Sequence, residues 1–319
     1  MLVDLGLLAL GLVILWFGGE VLVAGAAALA RRVGVSSLLV GLTVVAFGTS
    51  APEVAVSVLA GAKGADSIAI GNVVGSNINA NILLILGLAA LVRPLQVSRE
   101  IAHTDGPIMV GVCAAFILFA IDDDRIGRGH GVVFLIGLLA YTLFSYQLSR
   151  LRPPPATEEP TFAFVDRGGL LVQIPLIIGG IACLVYGADL MVGAGTRLAE
   201  RLGVPDRIVG LTIISIGTSL PELSTCLVAA RRGQADLAIG NVVGSNIFNI
   251  LCVLGLASVV HPLNVEKAIL YVDSAVMLAA AVLLLPIIRR GHVISRREGA
   301  VLFTLYCAYL GLLVIEKAM

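Results

Sequence analysis

Two six-residue stretches carry the chemistry this chain can offer. Gly-Thr-Ser-Ala-Pro-Glu occupies residues 48–53, and Gly-Thr-Ser-Leu-Pro-Glu occupies residues 217–222. Each lies inside an apolar run and sets a proline directly before a glutamate. Proline lacks the amide a helix needs, and its ring clashes with the carbonyl four residues earlier. For Pro52 that carbonyl is Gly48, so a helix through this stretch opens its hydrogen-bond ladder there. Main-chain oxygens around Ala46, Gly48 and Thr49 then become available to something other than an amide. Thr49 and Ser50 add hydroxyls and Glu53 a carboxylate; Ser215, Gly217, Thr218, Ser219, Pro221 and Glu222 repeat the set. Every donor is an oxygen, with no histidine or cysteine among them. Hard cations such as Ca²⁺ and Na⁺ take such ligands, Ca²⁺ about six to eight of them.

Both glutamates fall near the middle of their runs. A lone carboxylate at the centre of a bilayer costs at least about 2.5–3.5 kcal/mol on insertion scales, and two brought together repel. A bound divalent cation would relieve both costs, and protons would compete for the same oxygens. The plainer account is a proline-kinked helix with a protonated or paired glutamate. Recurrence of the whole cluster argues against it.

The elements that must hold these residues are transmembrane helices. The 319 residues are 58% hydrophobic and 13% charged, with a mean hydropathy of +1.02. Long Leu/Val/Ala/Gly runs lack the alternation of barrel strands, which makes the chain an all-α polytopic membrane protein. Charge, Gly and Pro divide it into ten spans, at approximately 3–31, 37–61, 67–92, 104–121, 131–149, 169–200, 207–230, 236–260, 269–288 and 297–315. The first has no Lys or Arg before Arg31 and no clear cleavage site, so it is expected to be a retained span. With the N-terminus outside, 13 of the 21 Lys and Arg residues face inward. The positive-inside rule then puts both termini outside and the Pro-rich 151–167 loop in the cytoplasm. Zero net charge with scattered basic residues gives no sign of nucleic-acid binding. Five cysteines without CxxC spacing are expected to be packing residues.

Self-comparison shows a repeat. Residues 69–78 (AIGNVVGSNI) are identical to 238–247, at an offset of 169. At that offset Val40–Thr43 matches Val209–Thr212, Glu20 matches Asp189, and the proline motifs align. Beyond residue 78 the offset becomes 168 and Asp105 matches Asp273, so the first half carries one extra residue between Ile78 and Asn81. The chain therefore divides into a five-helix repeat at 1–150, a linker at 151–167 and a second repeat at 168–319, together one transport domain. Because five is odd, equivalent helices enter the membrane from opposite sides. Such inverted repeats are the architecture of many secondary transporters, with the ion site at the midplane between the halves. The GNVVGSN glycines permit close helix approach. The polar atoms of Asn72, Ser76 and Asn77, and of Asn241, Ser245 and Asn246, face either a cavity or another helix. The alternative role for some of them is only to hydrogen-bond the unwound motif across the interface.

GTSAPE with GNVVGSN, and GTSLPE with GNVVGSN, resemble the two alpha repeats of the cation/calcium exchanger superfamily, in its microbial sodium/calcium exchanger type. The resemblance covers nearly the whole chain. It implies a ten-helix fold exchanging Na⁺ for Ca²⁺ by alternating access, with Glu53 and Glu222 binding Ca²⁺. The family's hydroxyl and carbonyl ligands fall on Thr49, Ser50, Thr218, Ser219, Ser76 and Ser245, with main-chain oxygens at Ala46 and Ser215. The family also places Asn or Asp four residues after the GSN serine, here Asn249. In the first repeat that position is Ala80, a departure. Read with the offset change, the extra residue forms a π-bulge that brings Asn81 to the ligand position; Asn79, or no side chain, is the alternative. Three Na⁺ for one Ca²⁺, the family's stoichiometry, leaves one net charge and makes the cycle electrogenic.

The expected role is thus an antiporter, not an enzyme, that normally extrudes Ca²⁺. A compact chain with a short linker suits a prokaryotic inner membrane. Ca²⁺ and Na⁺ are the substrates and the bilayer the surroundings. Nothing points to a cofactor, a catalytic residue or an obligatory protein partner. Proton coupling is the alternative within the same class, and a cation channel is the rival outside it. Glu20 and Asp189 either attract cations or sense helix sliding, or are paired locally. Asp105 and Asp273, near helix starts, are expected to be caps or macrodipole partners.

Overall fold

The computed structural model describes residues 2–150, 165, 168–201 and 215–318, without the side chains of residues 79–81, 150, 196, 199, 200, 215 and 312–318. Apart from Val165, the linker, with Arg152 and Arg167, lies outside the described residues, as do Arg207 and the repeat residues Val209–Thr212.

The described chain is almost wholly helical. α1 (Leu2–Val33) is followed by α2 (Ser37–Thr49), α3 (Ala51–Ala62), α4 (Asp66–Val92), α5 (Ile101–Ile121) and α6 (Arg128–Arg150). Then come α7 (Leu170–Arg201), α8 (Ser215–Thr218), α9 (Leu220–Arg231), α10 (Ala235–Val260), α11 (Ile269–Arg289) and α12 (Arg296–Ala318). Seven of these helices are each long and apolar enough to cross a membrane, and α2 with α3 forms an eighth, bent span. The residues expected to form span seven are described only from residue 215 onward.

α1 and α7 are each 32 residues, roughly 48 Å at 1.5 Å per residue, well beyond a hydrocarbon core of about 30 Å. They pack on each other through small residues. A Cβ on Gly18 would lie 3.0 Å from the Gly180 carbonyl, and one on Gly180 would lie 2.7 Å from the Leu22 nitrogen. Such a seam brings the two backbones together with few side chains interlocking.

The other helices enclose the core. α4 and α10 are the most buried spans. Gly240 and Gly244 on α10 admit the α2 backbone: a Cβ there would meet the Leu38 carbonyl at 2.9 Å and Leu42 Cα at 2.7 Å. Two short antiparallel strand pairs link the halves. β1 (Leu95–Gln96) pairs with β4 (Val293–Ile294), and β2 (Arg125–Ile126) pairs with β3 (Leu263–Asn264). At an offset of 168, β1 matches β3 and β2 matches β4, so each half lends one strand to each pair.

Both GSN segments run into π-helical turns, over Ser76–Ile85 in α4 and Asn249–Leu254 in α10. The widened helix is therefore not peculiar to the half with the extra residue. There it begins earlier, at Ser76, whereas Ser245 is still α-helical. Asp105 and Asp273 make no side-chain cap. Instead Asp105 accepts a hydrogen bond from Tyr141 Oη (3.0 Å) and Asp273 from Tyr309 Oη (2.9 Å). The capping expectation fails because both residues sit inside continuous helices whose preceding π-turns already supply main-chain partners.

Candidate cation site between the two halves

The proline motifs break their helices at the same residue. α2 and α3 meet at Ser50 with a bend of 49°. Ser50 has φ −82° and ψ 10°, and Ser219, between α8 and α9, has φ −93° and ψ 8°. Pro52 and Pro221 each occupy the second position of the following helix, where their missing amide has no intrahelical acceptor to lose. The break thus turns the motif hydroxyls and the following carboxylate out of the helical rows. The two halves differ in the ladder itself. Ser50 N–H still donates to the Ala46 carbonyl (3.0 Å), so that oxygen keeps an amide partner, whereas Ser219 N–H donates to Ile216 (3.1 Å). A Cβ on either motif glycine would run into α7, at Ile181 for Gly48 (2.3 Å) and Val192 for Gly217 (2.0 Å).

Each motif serine reaches the glutamate of the other half. Ser50 Oγ donates to Glu222 Oε1 (2.9 Å), and Ser219 Oγ donates to Glu53 Oε1 (3.2 Å). The GSN serines join them, Ser245 Oγ lying 3.3 Å from Ser50 Oγ and Ser76 Oγ 3.3 Å from Ser219 Oγ. The threonines point to the GNVVGSN asparagines across the interface. Thr49 Oγ1 is 3.2 Å from Asn241 Oδ1, and Thr218 Oγ1 is 3.5 Å from Asn72 Oδ1. Both glutamates are 1% exposed. Each keeps one oxygen, Oε2, buried with no hydrogen-bond partner among the described residues.

A third layer is made of amides. Asn249 Nδ2 donates to Asn77 Oδ1 (3.0 Å), and Asn77 Nδ2 donates to the Asn246 carbonyl (3.1 Å). Asn249 Oδ1 is buried without a partner. The side chains of Asn79, Ala80 and Asn81 lie outside the described residues, as does that of Ser215, whose main chain opens α8.

The structure thus brings together Glu53, Glu222, Thr49, Thr218, Ser50, Ser219, Ser76 and Ser245, with Asn249 alongside through Asn77. A buried carboxylate needs a partner for each oxygen or a neutralising charge. Two such groups among hydroxyls and amide oxygens, with orphan acceptors, suit a cation with hard-ligand preferences. No histidine or cysteine takes part. Glu20 is ion-paired with Arg232 instead of facing this cluster, and Asp189 is exposed.

Sequence reasoning left the roles of Asn72 and Asn241 open and missed Ser57 altogether. Ser57 donates to the Ala69 carbonyl (3.0 Å) and accepts from Asn72 Nδ2 (3.0 Å). Its one readable signal is its place one helical turn beyond Glu53.

The fold and site define an integral membrane protein that handles cations between two matched halves. The sodium/calcium exchanger protein family model matches residues 3–147 and 172–315, and the chain belongs to that family, within the cation/calcium exchanger superfamily. The sodium/calcium exchanger MaX1 of Methanosarcina acetivorans is 36% identical over 338 residues, covering 95% of this chain and 96% of MaX1. The inner membrane protein YrbG of Escherichia coli is 36% identical over 290 residues, covering 89% of this chain and 88% of YrbG. Among solved structures, the sodium-calcium exchanger NCX_Mj soaked with Na⁺ and Sr²⁺ superposes with a TM-score of 0.83 at 31% identity, covering 97% of this chain and 98% of that one.

Proposed function

We propose that the protein is an antiporter exchanging Na⁺ for Ca²⁺ by alternating access, normally extruding Ca²⁺, with one net charge moved per cycle. One observation carries the reading. Glu53 and Glu222 are buried, each bound by a serine of the opposite half and each with an oxygen that has no partner among the described residues. Two carboxylates balance one Ca²⁺, and the surrounding donors are all oxygens. The relatives support the choice of ions: MaX1 is named a sodium/calcium exchanger, and NCX_Mj was studied with Na⁺, Ca²⁺ and Sr²⁺.

In this reading Thr49, Ser50, Thr218, Ser219, Ser76 and Ser245 supply hydroxyl oxygens, Asn249 and Asn81 amide oxygens, and Ala46 and Ser215 main-chain oxygens. Ten helices form two inverted repeats, 1–150 and 168–319, in a cell membrane. Both termini face outward and the 151–167 loop faces the cytoplasm. α1 and α7 slide on their small-residue seam past the remaining helices and expose the site to each side in turn.

Radioactive Ca²⁺ uptake into proteoliposomes tests the reading under an outward Na⁺ gradient, an outward proton gradient, and neither. Uptake only with Na⁺ inside is the expected outcome. Uptake driven by protons alone would reassign the coupling ion, since protons also neutralise these carboxylates. Equal uptake without any counter-ion would make the protein a channel.

A further inference from the structure

The two walls of the site differ one helical turn beyond each glutamate. In the first half, Ser57 Oγ ties α3 to α4: it donates to the Ala69 carbonyl (3.0 Å) and accepts from Asn72 Nδ2 (3.0 Å). The same nitrogen reaches the Glu53 carbonyl at 3.4 Å. Two acceptors hold the carboxamide one way round, and its Oδ1 faces Thr218. The matched residue of the second half is Cys226. Its thiol keeps the contact with the neighbouring helix, Sγ lying 3.6 Å from the Ala238 carbonyl. Sulfur is a weak acceptor, however, and Asn241 Nδ2 is buried with no hydrogen-bond partner among the described residues. Asn241 is held at its oxygen end by Thr49 Oγ1. Turning Asn72 over breaks two bonds at its nitrogen, whereas turning Asn241 over breaks only the contact of its oxygen with Thr49 Oγ1.

We infer that Ser57 is a positioning residue that locks Asn72, and that Cys226 leaves Asn241 as the adaptable carboxamide of the cation site. This rests on the reading of the cavity as a Ca²⁺ and Na⁺ site. A buried amide donor without a partner is a standing cost, and it is tolerated where a group changes partners during the working cycle. The hydroxyl that faces Asn241 has an alternative, because Thr49 Oγ1 also lies 3.1 Å from the Val45 carbonyl. Asn241 Oδ1 can therefore leave Thr49 for an arriving cation without orphaning the hydroxyl proton. Asn72 Oδ1 stays in place and gives the site one fixed wall and one yielding wall.

The test uses purified full-length protein. Calorimetry gives Ca²⁺ binding, and exchange rates in proteoliposomes give KM and kcat, for Ser57→Ala, Ser57→Cys, Asn72→Ala, Cys226→Ser and the Ser57→Ala/Asn72→Ala double variant. Loss of one neutral hydrogen bond predicts that Ser57→Ala raises KM for Ca²⁺ about fivefold with kcat changed less. Ser57→Cys, which copies the second half and keeps the helix contact, falls between wild type and Ser57→Ala. Ser57→Ala adds nothing in the Asn72→Ala background, whereas a merely structural role for Ser57 gives additive losses. Cys226→Ser supplies the missing acceptor, lowers KM and slows kcat. Additive losses, or a Cys226→Ser variant identical to wild type, overturn the inference while leaving the cation site standing. A wild-type protein that binds no Ca²⁺ overturns the cation reading and the inference with it.

Discussion

Around the glutamates the hydroxyl contacts of the two motifs mirror each other; along α1 and α7 the two halves differ. Ser50 with Glu222 answers Ser219 with Glu53, Thr49 with Asn241 answers Thr218 with Asn72, and Tyr141 with Asp105 answers Tyr309 with Asp273. Away from the site, α1 is fastened to the α9 end of the second half by three polar contacts. Ser224 Oγ donates to the Leu15 carbonyl (2.7 Å), Arg231 lies over the Trp16 ring (5.2 Å), and Arg232 pairs with Glu20. The matched positions on α3 and α7 hold Ala55 and Leu184, Ala62 and Val185, and Lys63 and Asp189. Only the last pair could form a polar contact, and Lys63 and Asp189 are both exposed. The contrast separates two demands. A site shared between the halves needs both at once and keeps them alike. In the proposed alternating-access cycle the contacts of the long helix pair belong to one conformation at a time, and nothing requires them to match.

The largest effect expected falls on the mirrored pair. Glu53→Gln and Glu222→Gln should each abolish Na⁺-driven Ca²⁺ uptake in proteoliposomes, with size-exclusion elution unchanged. If either variant transports normally, the two halves are not equivalent at the site. Ser50→Ala and Ser219→Ala come next. Each removes a donor to the opposite carboxylate, a bond worth about 1.5–3 kcal/mol, so calorimetric Ca²⁺ affinity should fall by roughly one to two orders of magnitude. The two losses should agree within a few-fold.

Lowering pH on the side where Ca²⁺ binds should weaken Ca²⁺ affinity, because protons and Ca²⁺ compete for the same two carboxylates. The dependence should vanish in a Glu53→Gln/Glu222→Gln variant assayed for residual binding; if it persists there, the titrating group lies elsewhere.

Smaller again is the effect on the fastened side. Glu20→Gln or Arg232→Gln should raise hydrogen exchange along α1 several-fold, as expected for loss of a partly exposed pair worth up to about 1 kcal/mol. Asp189→Asn and Lys63→Gln should leave exchange in α7 unchanged in the same conditions. Equal responses on both sides would mean that the asymmetry does not set the resting conformation. A comparison of stability, not transport, pairs Tyr141→Phe with Tyr309→Phe. Each loses a hydrogen bond to an aspartate, and thermal unfolding should show similar destabilisation of about 1 kcal/mol or somewhat more.

Much of the site was legible in the sequence because its residues are costly where they stand. A proline and a glutamate within an apolar span demand an explanation, and a second copy at a fixed offset supplies one. Asn72, Ser76 and Asn77 were legible for the same reason. Ser57 was not, because a serine on a helix is ordinary until a neighbouring amide is seen to lean on it. The two-residue strands that link the halves carry no pattern long enough to detect. The Glu20 and Asp189 pair showed its matched ancestry without showing that only Glu20 has an ionic partner.

The sequence by itself determined the membrane class, the matched halves, that each proline motif interrupts its helix, and the all-oxygen character of the donors. These follow from local physics: hydropathy, the missing proline amide and the cost of charge in hydrocarbon. Only the tertiary structure decided which serine meets which glutamate and on which side α1 is fastened. Those are contacts between residues some 140 to 210 positions apart. Their geometry is set by how the helices of one half pack against those of the other, and no local pattern encodes it.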